Sequence, residues 1–171
     1  MGYAGGRLED PTYYKMGDHS ESIQIDFDPN QIRYQDLLQA AKQEGSFGGR
    51  AYSRQYRSVV FYHDAAQQEA AREAGIQEIE PLGHFTRAED YHQKYYLQQS
   101  STLCREFYAM YPHDLAFTDS TAVMRANAAV AGLVEESDLR RWLPEMGLSP
   151  SAGQALLQRS PQRPGCASPS R

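Results

Sequence analysis

The residues with the clearest chemical potential are Glu21, Tyr13, Tyr56, His92 and Cys104. Glu21 stands one residue before an alternating stretch in which Ile23, Ile25 and Phe27 exchange with Gln24, Asp26 and Asp28. That alternation predicts a half-buried strand and puts Glu21 on the face of Ile23. A carboxyl on such a face loses water, keeps its proton more readily and can donate it to a substrate oxygen. Tyr13 and Tyr56 are expected in a loop and at a loop-to-strand junction, where binding residues gather. A phenol combines an apolar ring with a hydrogen-bond donor, which suits a ligand that is part apolar and part oxide. Taken singly, a strand-edge Glu is more often solvated, and any one of the chain's 12 tyrosines is more often packing.

The histidines at 19, 63, 84, 92 and 113 show no metal-ligand spacing to one another or to a cysteine, so no metal site is expected. The two cysteines, Cys104 and Cys166, are too few for a disulfide framework. The Gly-rich stretches Gly2–Gly6 and Gly45–Gly49 lack the Gly-Lys-Ser/Thr ending of a phosphate loop and read as turns.

Several elements must position these residues. Residues 1–21 carry no lasting period and read as loop. Asp28-Pro29-Asn30 turns the chain and caps a helix with Tyr34, Leu37, Leu38 and Ala41 on one face. Ser58–Tyr62 is a strand on its β-branched and aromatic content. Asp64 with Gln67 caps an alanine-rich helix that Gly75 closes. Ile76, Ile79 and Leu82 indicate a further strand, and Thr86 with Glu89 a second capping box opening a helix through Tyr96. Helices are then expected over 119–131, over 136–143 and from Ser149-Pro150 onward. From Ser160 the Ser, Pro, Arg and Gly content predicts disorder.

Charge narrows the function. A net charge of −5 argues against capture of nucleic acid or an anionic membrane. The apolar runs are too short to span a bilayer, and the first residues lack a signal-peptide pattern. A reducing compartment follows, the cytoplasm first, with the mitochondrion left open.

Read in order, the motifs Gly2-Tyr3-Ala4-Gly5-Gly6, Pro11-Thr12-Tyr13, Gly17-Asp18-His19-Ser20-Glu21, Gln55-Tyr56-Arg57-Ser58 and Ala88-Glu89-Asp90-Tyr91-His92-Gln93 form a series. This series resembles the A-type peptide methionine sulfoxide reductases from Gly2 to about Cys104. The resemblance implies an α+β fold (an α/β sandwich) with a ferredoxin-like core. It divides the chain into a reductase-type domain over 1–104, a helical extension over 105–159 and a disordered tail over 160–171. It implies reduction of the S epimer of methionine sulfoxide in proteins, a protein repair under oxidative stress, without a bound cofactor. In such enzymes a cysteine thiolate attacks the sulfoxide sulfur while the oxygen is protonated, and thioredoxin or another dithiol restores the thiol.

By position, Glu21 matches the family's proton donor, Tyr13 and Tyr56 its oxygen-binding tyrosines, His92 a supporting residue and Cys104 a candidate resolving thiol. The family's G-C-F-W-G motif, with the nucleophilic cysteine, belongs upstream of G-Y-A-G-G and does not occur in this sequence. The expectation is therefore a chain truncated at its N-terminus, without the first strand and helix of the core, and inactive as it stands. The alternative is a sulfoxide-binding or regulatory module without catalysis.

Overall fold

The computed structural model describes residues 1–47 and 53–159. The far end of the Gly45–Gly49 loop and the Ser/Pro-rich tail with Cys166 lie outside the described residues. The chain is mixed α and β and separates into two compact units, Met1–Glu89 and Asp90–Arg171.

The first unit holds two small sheets. Strand β1 (Gly2–Ala4) lies at the centre of the first, flanked antiparallel by β2 (Ser20–Ser22) and β5 (Phe85–Arg87). Tyr3 faces Glu21 on one side and Thr86 on the other. The second sheet pairs β3 (Val59–Tyr62) in parallel with β4 (Glu78–Pro81), joined through helix α2 (Ala65–Glu73). Parallel neighbours need such a crossover, because a tight turn cannot reverse the chain twice. Helix α1 (Tyr34–Gln43) adds Leu38 to a small core with Val60, Ala70, Ala71 and Ile76.

Four sequence expectations are corrected here. Residues 1–21 are not all loop, since they hold the central strand β1 and the start of β2. Gly2–Ala4 is a strand because its backbone is paired on both edges and buried, which three residues cannot announce by periodicity. No strand is assigned over Ile23–Phe27. Ile23 and Ile25 are 75% and 51% exposed, so their alternation does not mark a buried face. Asp28 does not cap α1. Its carboxylate closes a local turn on the Asn30 N–H at 2.9 Å, and the capping pair is Arg33 with Asp36. Thr86 and Glu89 form no capping box, for Thr86 lies within β5 and Glu89 reaches back to Tyr3 and Tyr13.

Other local signals are met as read. Asp64 accepts the Gln67 N–H at 2.8 Å and so caps α2. The Gln67 side chain returns to the His63 N–H at 2.9 Å, one residue before the usual capping-box partner.

The second unit is helical, with α3 (Tyr95–Gln98), α4 (Ser101–Met110), α5 (Asp114–Asp119), α6 (Thr121–Val130), α7 (Glu136–Trp142) and α8 (Pro150–Leu157). Leu103, Phe107, Phe117, Val123, Leu139 and Leu156 are buried together at its centre. Ser149 caps α8 through the Ala152 N–H at 3.2 Å, and Glu106 accepts both the Ser149 N–H and its hydroxyl. Among the described residues no helix is long and apolar enough to cross a membrane.

Candidate functional site

Glu21 is the middle residue of β2, which places its side chain beside the segment 54–57. That segment runs along β2 and is fastened to it at several points. The Glu21 N–H donates to the Gln55 carbonyl at 2.9 Å, and the Ser20 hydroxyl donates to the Arg54 carbonyl at 2.9 Å. Arg54 Nε donates to the Asp18 carbonyl at 2.7 Å. Tyr56 is thereby delivered to Glu21 by backbone pairing rather than by its own packing.

Gln55 ties the chemical groups together. Its amide Nε2 donates to Glu21 Oε1 at 2.7 Å and to the Tyr56 hydroxyl at 3.0 Å. Tyr13 and Glu21 both lie within side-chain hydrogen-bonding reach of the Tyr56 phenol. The Glu21 carboxylate pushes the Tyr56 phenol above its ordinary value, with partial desolvation and the Tyr13 phenol adding to the effect. Tyr56 thus keeps its proton through the neutral range and remains a donor. Tyr13 and Tyr56 are 38% and 53% exposed, so an incoming ligand can reach both hydroxyls.

Glu21 and Tyr56 stand on the wall of a cleft of about 650 Å³ that also borders Ile23, Ile25, Phe61 and Phe85. The combination of a mostly apolar wall with a few converging polar groups is what a small-ligand site requires.

The glycines of G-Y-A-G-G allow this close assembly. Gly5 has φ +77, and a Cβ there would stand 2.5 Å from the Phe61 ring. A Cβ on Gly6 would stand 2.4 Å from the His19 ring. His19 is buried, accepts the Gly6 N–H at Nδ1 over 3.3 Å and donates from Nε2 to the Leu8 carbonyl at 2.9 Å. The histidine of Gly17-Asp18-His19-Ser20-Glu21 therefore shapes the loop that precedes Tyr13.

Of the residues singled out from the sequence, Tyr13, Glu21 and Tyr56 come together in the first unit. Glu21 owes its half-buried place to pairing between β2 and β1 rather than to the face of Ile23, which shares no core with it. His92 belongs to the second unit, in a single 3-10 turn, Asp90–His92, with its ring 4.2 Å from that of Tyr91. Cys104 lies in the middle of α4, beside the helical core, and its thiol donates to the Leu97 carbonyl at 3.2 Å. Burial pushes that thiol up from the ordinary cysteine value of 9.0.

This thiol state has a direct consequence. In a Cys166→Ser background, iodoacetamide is expected to alkylate Cys104 more slowly than an exposed cysteine in a peptide at pH 7.5. The midpoint of the alkylation rate against pH should lie above 9.0. A midpoint below the peptide's would contradict the burial seen around Cys104.

Three contributors escape a sequence reading. Gln55 and Arg57 sit within a motif that draws attention to Tyr56, and Glu89 reads as a helix cap. The signal available for each was its place in the motif series, which marks a residue without stating its partner.

The sequence model of the family described as "Peptide methionine sulfoxide reductase" matches residues 1–121. A peptide methionine sulfoxide reductase of Drosophila melanogaster is 32% identical over 178 residues, covering 96% of this chain and 71% of that protein. A peptide methionine sulfoxide reductase MsrA of Acidobacterium capsulatum is 33% identical over 130 residues, covering 60% of this chain and 80% of its own. One from Methanococcoides burtonii is 39% identical over 118 residues, covering 56% of this chain and 77% of its own. With 96% of the chain covered, the likeness to the insect protein runs well into the second unit.

Proposed function

The chain belongs to the peptide methionine sulfoxide reductase family, and on that premise we propose that it acts on methionine-S-sulfoxide in proteins, gripping the sulfoxide oxygen with Tyr13, Glu21 and Tyr56. The observation that carries this reading is the convergence of two phenols and one carboxyl, with Glu21 and Tyr56 on the wall of a largely apolar cleft. A sulfoxide presents a small oxide flanked by alkyl groups. The phenols donate to the oxide, and Glu21 is the group placed to hand it a proton.

The complete reaction needs an attacking thiolate as well. The thiolate would attack the sulfoxide sulfur and form an S–S bond while the oxygen takes a proton; that S–S bond then breaks as the hydroxyl passes to the enzyme sulfur, which releases methionine and leaves a sulfenic acid. Methionine keeps the electron pair, and an external dithiol of the thioredoxin kind reduces the enzyme again. In this reading Cys104 acts as a resolving thiol after local opening of α4, and His92 supports the site. The first 104 residues form the reductase-type domain on a ferredoxin-like core, in the cytoplasm.

A second reading is a binding module without turnover. It is favoured by the state of Cys104, which burial holds as a thiol. Calorimetric titration with N-acetyl-methionine-S-sulfoxide methylamide tests the shared premise. Binding is expected, with the R epimer and the unoxidised methionine compound at least about tenfold weaker, since each forfeits a hydrogen bond to a charged or aligned group. Equal affinity for the three compounds would sink both readings. Reduction of the sulfoxide with dithiothreitol would select the reductase and remove the binding-only form.

A further inference from the structure

The turn that carries Tyr13 is closed on itself and needs an external anchor. Thr12 N–H donates to the Lys15 carbonyl at 3.1 Å, and Lys15 N–H to the Thr12 carbonyl at 3.0 Å. These bonds fix Tyr13 relative to Thr12 and Lys15, and leave open where the turn sits against β2 and Tyr56. The Tyr13 N–H points out of the turn and donates to Glu89 Oε1 at 3.0 Å. The other oxygen of the same carboxylate accepts the Tyr3 hydroxyl at 2.7 Å.

Tyr3 is fully buried in β1, packed with Met16 and Ala88. Its register partner across the sheet is Glu21. Glu89 follows β5 at the point where the Ala88 N–H still donates to the Met1 carbonyl at 3.1 Å, so its backbone is held by the sheet. A path therefore runs from Glu21 through β1 to Tyr3, through Glu89 to Tyr13, and from Tyr13 back to Tyr56 and Glu21. Met16, buried beside Tyr3, secures the far side of the turn by packing, which sets distance and leaves orientation to the hydrogen bonds.

We propose that Tyr3 and Glu89 are a positioning pair, in which the buried Tyr3 hydroxyl orients the Glu89 carboxylate and the carboxylate sets the Tyr13 phenol against Tyr56. Both act through Tyr13. The inference rests on the proposed role of the Tyr13–Glu21–Tyr56 cluster.

The two assignments can be tested apart. The first readout is titration of the Tyr56 phenol, followed by NMR of 13C-labelled tyrosine, which needs no ligand. The wild-type midpoint is expected above the ordinary 10.0 because of Glu21 and Tyr13. Glu89→Ala should lower it part of the way, since Glu21 stays in place. The second readout is affinity for N-acetyl-methionine-S-sulfoxide methylamide, expected to weaken about fivefold, the equivalent of one ordinary hydrogen bond. Glu89→Gln should restore both, because its carbonyl accepts the Tyr13 N–H and its amide donates to the Tyr3 oxygen. A purely structural role would lower the melting temperature of all variants alike and leave the Tyr56 midpoint alone.

Should Glu89→Ala fail to melt cooperatively, Tyr3→Phe keeps the ring packed and removes only the hydroxyl. It should lower the Tyr56 midpoint in the same direction. A folded Glu89→Ala or Tyr3→Phe protein with an unchanged midpoint overturns the proposal. A wild-type protein that ignores the sulfoxide overturns the functional reading instead, and the titration still decides this one.

Discussion

Glu21→Ala is expected to weaken binding of a methionine-S-sulfoxide ligand by about tenfold to a hundredfold, the range for losing a hydrogen bond to a charged or strongly polarised group. Glu21 accepts Gln55 Nε2 at 2.7 Å and lies beside the Tyr56 phenol. Its removal therefore strips one partner from the oxide and leaves the Gln55 amide to turn elsewhere. Glu21→Gln separates shape from charge. An amide at this position can still donate to the oxide, so affinity should stay within about threefold of wild type. Both variants should bring the Tyr56 phenol down, because the Glu21 carboxylate is the largest cause of its elevation. The check is calorimetry for the ligand and NMR titration of the Tyr56 phenol. Unchanged affinity in Glu21→Ala would remove Glu21 from the site.

Arg57→Ala should cost the first unit about 2–3 kcal/mol of stability. Only 7% of the Arg57 side chain is exposed. Its guanidinium forms a forked pair with Glu80, one arm at 2.8 Å, and its Nε donates to the Ser20 hydroxyl at 2.8 Å. It also lies 5.4 Å from the Phe61 ring centroid. These contacts join β2 of one sheet to β3 and β4 of the other. Breaking a fully buried pair costs about 3–5 kcal/mol, and the 39% exposure of the Glu80 side chain reduces that figure to the one given.

The pH dependence of this contribution follows from Glu80. Its hydrogen bond to Arg57 lowers its value from the ordinary 4.5. The stabilisation is thus complete above about 4.5 and is lost as the pH falls through the depressed folded value. Arg57→Ala should flatten that acid limb as well as lower the plateau. The only tryptophan, Trp142, lies in the second unit, so its fluorescence is a poor reporter here. Hydrogen exchange at the Glu21 and Val60 amides reads the first unit directly, and unchanged protection in Arg57→Ala would refute the bridging role.

Legibility from sequence followed the range of the interactions. Asp64 capping α2 and Ser149-Pro150 opening α8 were readable because cap and helix lie within four residues. Ser58–Tyr62 was readable from strand-forming side chains, and β3 occupies all but its first residue. The three-residue strands β1, β2 and β5 were not readable, since three residues hold no full alternation. The isoleucines at 23 and 25 show the opposite error, a clear alternation that the fold leaves in solvent.

The sequence by itself determined which groups could handle an oxide and in what order they occur: Tyr13, Glu21 and Tyr56, set in a motif series specific enough to point to one family. Chemistry of that kind depends on residue type, and type is visible in one dimension. Tertiary structure alone decided how those groups meet. Gln55 reaches Glu21 across 34 residues, and Glu89 reaches Tyr13 across 76 and Tyr3 across 86. Contacts of that span form only when the sheet has brought β1, β2 and β5 together. A glutamate that reads locally as a helix cap can then spend both carboxylate oxygens on holding a distant tyrosine in place.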